Sequence, residues 1–238
     1  MKTCFLFAIS LLGFTPIKAQ FNDLEATELA LRRIANIRSE GSNSNRYANV
    51  QGSPYLNEGW RNGRLFLKNQ DSATTDILIN IDLVSQLVLV QLRDGSVGMI
   101  SPLSIQKIEI QGDSYSYRSF IIETEDRLLG NLNNSPTFCE ILYEGKFRLI
   151  RQIHKRMYQP YATPYTTSDG HREITTIENI WLQSPENQSY QKLKLTRKSI
   201  EKALPTYRDR IRQLSKKHDL DLTNLSDAVQ LFKFLDKT

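Results

Sequence analysis

Metal and nucleophile chemistry have little to work with in this chain. Its 238 residues hold 3 His and 2 Cys, and one of those cysteines, Cys4, lies upstream of an apolar run at the amino terminus. A zinc site needs several His, Cys or carboxylate side chains converging on one point, usually announced by close pairs in the sequence. His154, His171 and His218 stand far apart, at places that read as a strand end, a loop and a helix end, so no metal site and no cofactor is expected. Cys139 falls in an alternating run that puts Ile141 and Tyr143 on its own side, the pattern of a buried thiol. Asp169-Gly170-His171-Arg172-Glu173 is the densest polar cluster, and an acid beside a histidine can activate water. Yet Asp-Gly followed by charges ahead of a strand is turn chemistry, and the cluster is read as a turn. No Gly-x-Ser-x-Gly elbow, phosphate-binding glycine loop or His-Glu-x-x-His helix occurs. Carboxylate-only catalysis stays open, because a glycosidase needs two Asp or Glu side chains that no spacing reveals.

Binding chemistry has more to build on. Tyr158-Gln159-Pro160-Tyr161-Ala162-Thr163-Pro164-Tyr165 places Tyr158, Tyr161 and Tyr165 in one proline-stiffened stretch, a candidate stacking platform for a sugar or peptide and otherwise a rigid loop. Arg208, Arg212 and Lys216 recur at i, i+4 and i+8, so a helix aligns them in one row able to meet an anionic partner, such as the lipid A region of an outer membrane or an acidic glycan. Charge is distributed to match: residues 190–238 carry 12 Lys/Arg against 6 Asp/Glu, and residues 20–189 carry 17 against 20. Nucleic acid is not an expected partner, since the body offers no basic groove with interleaved aromatics. Asp71-Ser72-Ala73 looks like the acidic-hydroxyl-small triplet at which some Gram-negative bacteria O-glycosylate exported proteins, which marks Ser72 as a candidate modification position.

Positioning these residues falls to a body whose apolar period is two. Ile77, Ile79 and Ile81 alternate with Asp76, Leu78 and Asn80. Val88, Val90 and Leu92 lead to a turn at Asp94-Gly95 and resume with Val97 and Met99, predicting a hairpin. The runs before and after Glu144-Gly145 predict a second hairpin. Ile108 with Ile110, Phe120 with Ile122, and residues 174–182 add further strands. A mainly β fold follows, an antiparallel meander closed into a barrel or folded into a sandwich. A short amphipathic helix over residues 23–38 precedes it, with Asn22 and Glu25 as a capping box and Leu24, Leu31 and Ile34 on one face. Residues 39–45 read as a linker. Behind the body, Leu204, Tyr207, Ile211 and Leu214 at helical spacing, and a terminal helix capped by Ser226, predict a helical pair laid on the β domain.

The amino terminus reads as an export signal. Lys2, an apolar run over residues 5–14 and Ala19 follow the order of n-region, h-region and cleavage site, giving a mature chain from Gln20. That run is too short to span a bilayer, and no later segment offers about 18 uninterrupted apolar residues. Cleavage leaves Cys139 as the only cysteine, so no internal disulfide is expected. The expected divisions are a signal peptide at 1–19, a helix and linker at 20–45, a β-rich domain at 46–189 and a basic helical tail at 190–238.

The run Asn49-Val50-Gln51-Gly52-Ser53-Pro54-Tyr55-Leu56, Trp60 with a strand soon after, Leu142-Tyr143-Glu144-Gly145-Lys146 and the Lys-rich helical end resemble uncharacterised exported β-rich proteins of Gram-negative bacteria. The resemblance implies the cell envelope as location and brings no catalytic residues with it. The function expected from these readings is that of a periplasmic or secreted non-catalytic protein. Its β body would bind a ligand or protein partner, and its basic helix an acidic envelope component, with peripheral membrane contact. The rival expectation is a carboxylate-dependent hydrolase of envelope polymers.

Overall fold

A computed structural model of the chain describes residues 17–38, 47–68, 73–113, 116–129, 135–158 and 172–237. It is mainly β. Helix α1 (Ile17–Ile34) is followed by strands β1 (Asn36–Arg38), β2 (Val50–Gln51), β3 (Arg61–Leu67), β4 (Ile77–Asp82), β5 (Leu87–Gln91), β6 (Val97–Ile100), β7 (Ile105–Gln111) and β8 (Tyr117–Thr124). Helix α2 (Glu125–Leu129), strands β9 (Pro136–Glu144), β10 (Arg148–Tyr158), β11 (Arg172–Ser184) and β12 (Asn187–Leu193), and helices α3 (Arg197–Ala203), α4 (Arg208–Lys217) and α5 (Leu225–Asp236) complete it. One 12-stranded sheet runs β1-β6-β5-β4-β3-β7-β8-β9-β10-β11-β12, with β2 added in parallel to β11 and every other ladder antiparallel. The ladder does not close: β1 and β12 are its edges. Among the described residues no helix is long and apolar enough to cross a membrane.

Both predicted hairpins form where the local chemistry puts them. Gly95 takes φ +80° between β5 and β6, a value an L side chain rarely adopts, and the β9–β10 connection turns at Gly145, whose N–H donates to the Phe147 carbonyl at 3.0 Å. The leading helix starts earlier than expected, at Ile17, so Asn22 and Glu25 lie within it and not at its start, and it also ends earlier than its periodicity predicts. It stops at Ile34, and Asn36, Ile37 and Arg38 pair with Met99, Gly98 and Val97 as an edge strand. Pairing with β6 satisfies backbone groups that one more helical turn would leave β6 exposing. Leu31 enters the core at 1% exposure, and Arg32 ties α1 to the β5–β6 turn through Asp94 at 2.7 Å. Residues 39–45, read as a linker, lie outside the described residues.

Three apolar clusters hold the sheet. The first gathers side chains of β3 to β8, with Leu31, Phe138 and Ile153. The second sets Phe147, Leu149, Leu182 and Leu193 against Ile200, Ile211, Leu214, Leu231, Phe232 and Leu235 of the C-terminal helices, as the tail's apolar content predicts. The third, on the opposite face of β9 to β11, holds Leu128, Cys139, Ile150, Trp181 and Tyr190. Along β10, Leu149 belongs to the second cluster and Ile153 to the first, and Arg151 stands between them on the same face of an alternating strand. A charged belt therefore divides the two cores. Glu140 accepts there from Arg118 (2.7 and 2.9 Å) and Arg151 (3.0 Å), and Arg151 also reaches Glu178 at 3.5 Å.

A strap crosses the sheet. Leu56 N–H donates to the Ile81 carbonyl at 2.8 Å and Leu83 N–H to the Pro54 carbonyl at 2.9 Å, so residues 54–56 line the flank of β4. Lys155 of β10 donates its ammonium to the carbonyls of Ser53 (2.9 Å) and Tyr55 (2.6 Å), and its backbone N–H to the Leu83 carbonyl (3.2 Å). The sheet is rolled until β4 meets β10, and the strap supplies the join that no strand ladder makes. It also explains two side chains that simple alternation turns outward. Asn80 is buried because its amide donates to the Asn57 and Gly59 carbonyls (3.0 and 3.2 Å), and Asp82 because it accepts from Tyr47 Oη (2.7 Å) and the Val84 and Ser85 N–H groups.

Candidate functional site

The C-terminal helices are built to turn charge outward. Thr196 caps α3, accepting from Ser199 N–H at 3.3 Å. After the Pro205–Tyr207 turn, α4 buries Ile211, Leu214 and Ser215. With that stripe inward, Arg208, Arg212 and Lys216 are all exposed, the row their spacing predicts. Its middle member is already engaged: Arg212 grips Glu201 of α3 through two parallel hydrogen bonds of 3.0 and 2.9 Å. Glu201 is a residue that sequence reasoning missed, since a partner 11 residues away on another helix leaves no spacing signal. The Arg212 hydrogen bonds hold its carboxyl below the ordinary glutamate range against the opposing effect of burial, and the charges of Arg212, Arg208 and Arg197 add to the lowering. One carboxylate thus sits among three guanidinium groups.

Of the tail's other acids, Asp209 lies 4.0 Å from Arg212, and three accept hydrogen bonds from neutral donors while keeping their charge. Asp221 accepts from Thr223 backbone N–H and hydroxyl (3.0 and 2.7 Å), Asp227 from Asp221 N–H (2.9 Å) and Asp236 from Lys146 N–H (2.7 Å). The exposed cations Arg197, Lys202, Arg208 and Lys216 make no ion pair among the described residues. The terminal helix begins at Leu225 with Asn224 as its cap, accepting from Ser226 N–H at 2.8 Å, so the capping residue lies two positions before the Ser226 expected from sequence. Asn side chains cap as well as Ser, and the first apolar position, Leu225, sits inside the helix.

Of the tyrosine stretch, Tyr158 ends β10 with 54% of its surface exposed, next to the exposed Met157. Tyr161, Tyr165, Ser72 and His171 lie outside the described residues. His154 stands well inside β10 rather than at a strand end, because that strand runs on to Tyr158; burial, with Arg156 adding, lowers its pKa. His218 closes α4 and stacks on Phe234 with centroids 4.1 Å apart. Among the described residues four carboxylates are buried, Asp82, Glu123, Glu140 and Glu201, and each is engaged by guanidinium, hydroxyl or backbone donors.

Cys139 is free and fully buried, as its strand position predicts. Its expected neighbour Tyr143 is not on its face. A register shift between Leu149 and Ile150 inserts Leu142 as a bulge, which turns Tyr143 into the second cluster, whereas Cys139 opposes Gln152 in the third. Burial, with the Glu123 charge adding, pushes the thiol far above its ordinary pKa, and Arg148 opposes this weakly. Folded protein is therefore expected to resist maleimide at neutral pH and to label stoichiometrically in guanidinium, because the thiolate is the reacting species. Rapid labelling of the native protein would place Cys139 at an opening surface. Comparison with family models, with characterised proteins and with solved structures finds no match to this chain.

Proposed function

We propose that this is an exported, non-catalytic protein of the cell envelope, held at an anionic envelope surface by the basic face of α3 and α4. The observation that carries the reading is the imbalance of that face. Arg197, Lys202, Arg208 and Lys216 are exposed and make no ion pair among the described residues, and residues 190–238 carry 12 Lys/Arg against 6 Asp/Glu. A solvated helix needs no such asymmetry, whereas an anionic surface is complementary to it. The export reading rests on Lys2, the apolar run over residues 5–14 and Ala19. Against the rival hydrolase, the buried carboxylates are each occupied by hydrogen-bond donors, which leaves no free acid and base among them.

The test is retention on vesicles with and without acidic phospholipid. Each surface cation contributes about 1 kcal/mol near such a surface, so replacing three weakens binding about 100-fold at low ionic strength. Arg212 is left in place, because removing it strands Glu201. Arg197→Gln, Arg208→Gln and Lys216→Gln together are expected to abolish retention on acidic vesicles with the melting temperature unchanged, and added salt is expected to do the same to the parent. Equal retention of variant and parent at low salt overturns the reading.

A further inference from the structure

One stretch of β11 has a neighbouring strand on one side only. Its first residues, Arg172 and Glu173, pair with Val50 and Gln51 of β2, and its last, from Ile180 on, pair with β12. Between them Ile174, Thr175, Thr176, Ile177, Glu178 and Asn179 pair with β10 alone. These six residues leave a gap of about 20 Å in the ladder beside β11. The chain turns away from the gap at both ends. After β2 the strap crosses to Lys155 of β10, and after β12 Lys194 donates its N–H to Ser199 Oγ at 3.1 Å.

The ladder shows which backbone groups face the gap. Lys155 N–H donates to the Leu83 carbonyl, on the side of β10 away from β11, so Lys155 and Thr176 opposite it form a non-hydrogen-bonded pair. Thr176 therefore turns both its N–H and its C=O into the gap, and Glu178, two residues on, does the same. Neither finds a backbone partner there among the described residues. Both residues are exposed, and the ion pair Glu178 makes, to Arg151, is 3.5 Å long and leaves 48% of its side chain in water. Native sheets blunt open edges with short strands, lysine or proline. The outer edges of this sheet follow that rule: β1 has 3 residues, and β12 carries exposed Asn187, Gln188, Ser189 and Lys192. The gap instead presents β-branched Ile174, Thr175, Thr176 and Ile177 in succession, a composition suited to a paired strand.

We infer that this gap receives an extended peptide segment of another protein, which adds to β11 as a strand of about six residues through hydrogen bonds to Thr176 and Glu178. The ends of the gap exclude the same strand of a second copy, because β11 has 13 residues, and β2 and β12 stand where the rest of it would lie. A chain terminus or loop that enters and leaves within the gap fits. An acidic residue facing Glu178 is repelled, so a basic one belongs there, with a β-branched one facing Ile177. The inference is independent of the basic helical face, which belongs to α3 and α4.

Fluorescence polarisation with the full chain tests it, using the capped peptide Thr-Lys-Val-Thr-Thr-Val, whose Lys faces Glu178 when the peptide lies antiparallel to β11. The same peptide N-methylated at its second and fourth residues lacks the N–H groups aimed at β11 and is expected to bind at least tenfold more weakly. Glu in place of the peptide's Lys is expected to weaken binding at least threefold. Thr176→Pro removes an N–H that β10 does not use, and is expected to abolish binding with the melting temperature nearly unchanged. Hydrogen exchange followed by NMR adds a measurement on the unaltered protein. The Thr176 and Glu178 amides are expected to exchange fast in the free protein and slowly with the peptide bound, whereas those of Ile177 and Asn179, turned toward β10, are slow throughout. No binding at millimolar peptide, equal binding of either altered peptide, parent-like binding by Thr176→Pro, slow exchange of Thr176 and Glu178 without peptide, or a dimer of the parent that Thr176→Pro dissociates would each overturn the inference.

Discussion

A chain ending at Asn224 is expected to lose its cooperative unfolding transition. The missing helix α5 supplies Leu231, Phe232 and Leu235, all at 0% exposure, to the second cluster. Phe232 stands 5.7 Å from Phe147, a side chain of the β9–β10 hairpin with no exposure of its own. Asp236 holds the same hairpin by accepting from Lys146 N–H. Truncating one buried Phe or Leu costs about 2–5 kcal/mol, and a domain's whole stability is about 5–15 kcal/mol, so removing all of them leaves little or nothing. Urea titration followed by far-ultraviolet dichroism is the check, with Phe232→Ala as the graded version, expected to cost about 3–5 kcal/mol. A truncated chain melting at the parent's midpoint would mean that α5 contributes nothing to the sheet it covers.

Glu140→Ala is expected to be the most damaging single change in the sheet outside the apolar clusters. It strands Arg118 and leaves Arg151 with Glu178 at 3.5 Å, the two arginine side chains being 31% and 22% exposed around a site that is 9% exposed. Removing one partner of a buried ion pair costs about 3–5 kcal/mol, and the lower figure applies here because both guanidinium groups keep an edge in water. Acid should reproduce part of the loss. Burial pushes the Glu140 carboxyl up, but the hydrogen bonds and charges of Arg118 and Arg151 outweigh it, so its folded pKa lies below the ordinary value. A carboxyl lowered on folding contributes its full stability above the unfolded pKa and loses it as pH falls through the folded one. The parent's unfolding free energy should therefore fall more steeply than that of Glu140→Gln as pH drops below the ordinary glutamate range. Parallel pH profiles for the two proteins would show that the belt adds no stability through its charge.

What the sequence made legible is what is decided locally. The hairpins at Asp94-Gly95 and Glu144-Gly145 depend on turn residues and the apolar alternation beside them, and both form. The outward row of Arg208, Arg212 and Lys216 depends on helical period alone, and it is exposed. What stayed hidden is set by distant parts of the chain. Asn36 to Arg38 read as helix because nothing nearby announces that β6 needs a partner. Tyr143 changes face through a bulge of one residue, which an alternation count cannot anticipate. Glu201 and Glu123 find their partners on other elements, Glu201 at Arg212 and Glu123 at Tyr190, 67 positions away.

The strap sets an order of events during synthesis. Ser53 and Lys155 are 102 residues apart, and Ala48 and Arg172, also joined by a hydrogen bond, are 124 apart. At about 5–20 residues per second, the amino-terminal half waits about 5–20 s before β10 exists to receive the strap. Joins over such separations also form late in refolding, since loop closure must come before the contact rewards it. Through that delay the Ser53 and Tyr55 carbonyls stand without the Lys155 ammonium that later binds them, an edge open to stray pairing with other chains. Asn80 and Asp82 do not wait for it, because their partners Asn57, Gly59 and Tyr47 precede them in the chain. Replacing them with apolar residues would trade a hydrogen-bonded seam for a nascent chain that is prone to aggregate.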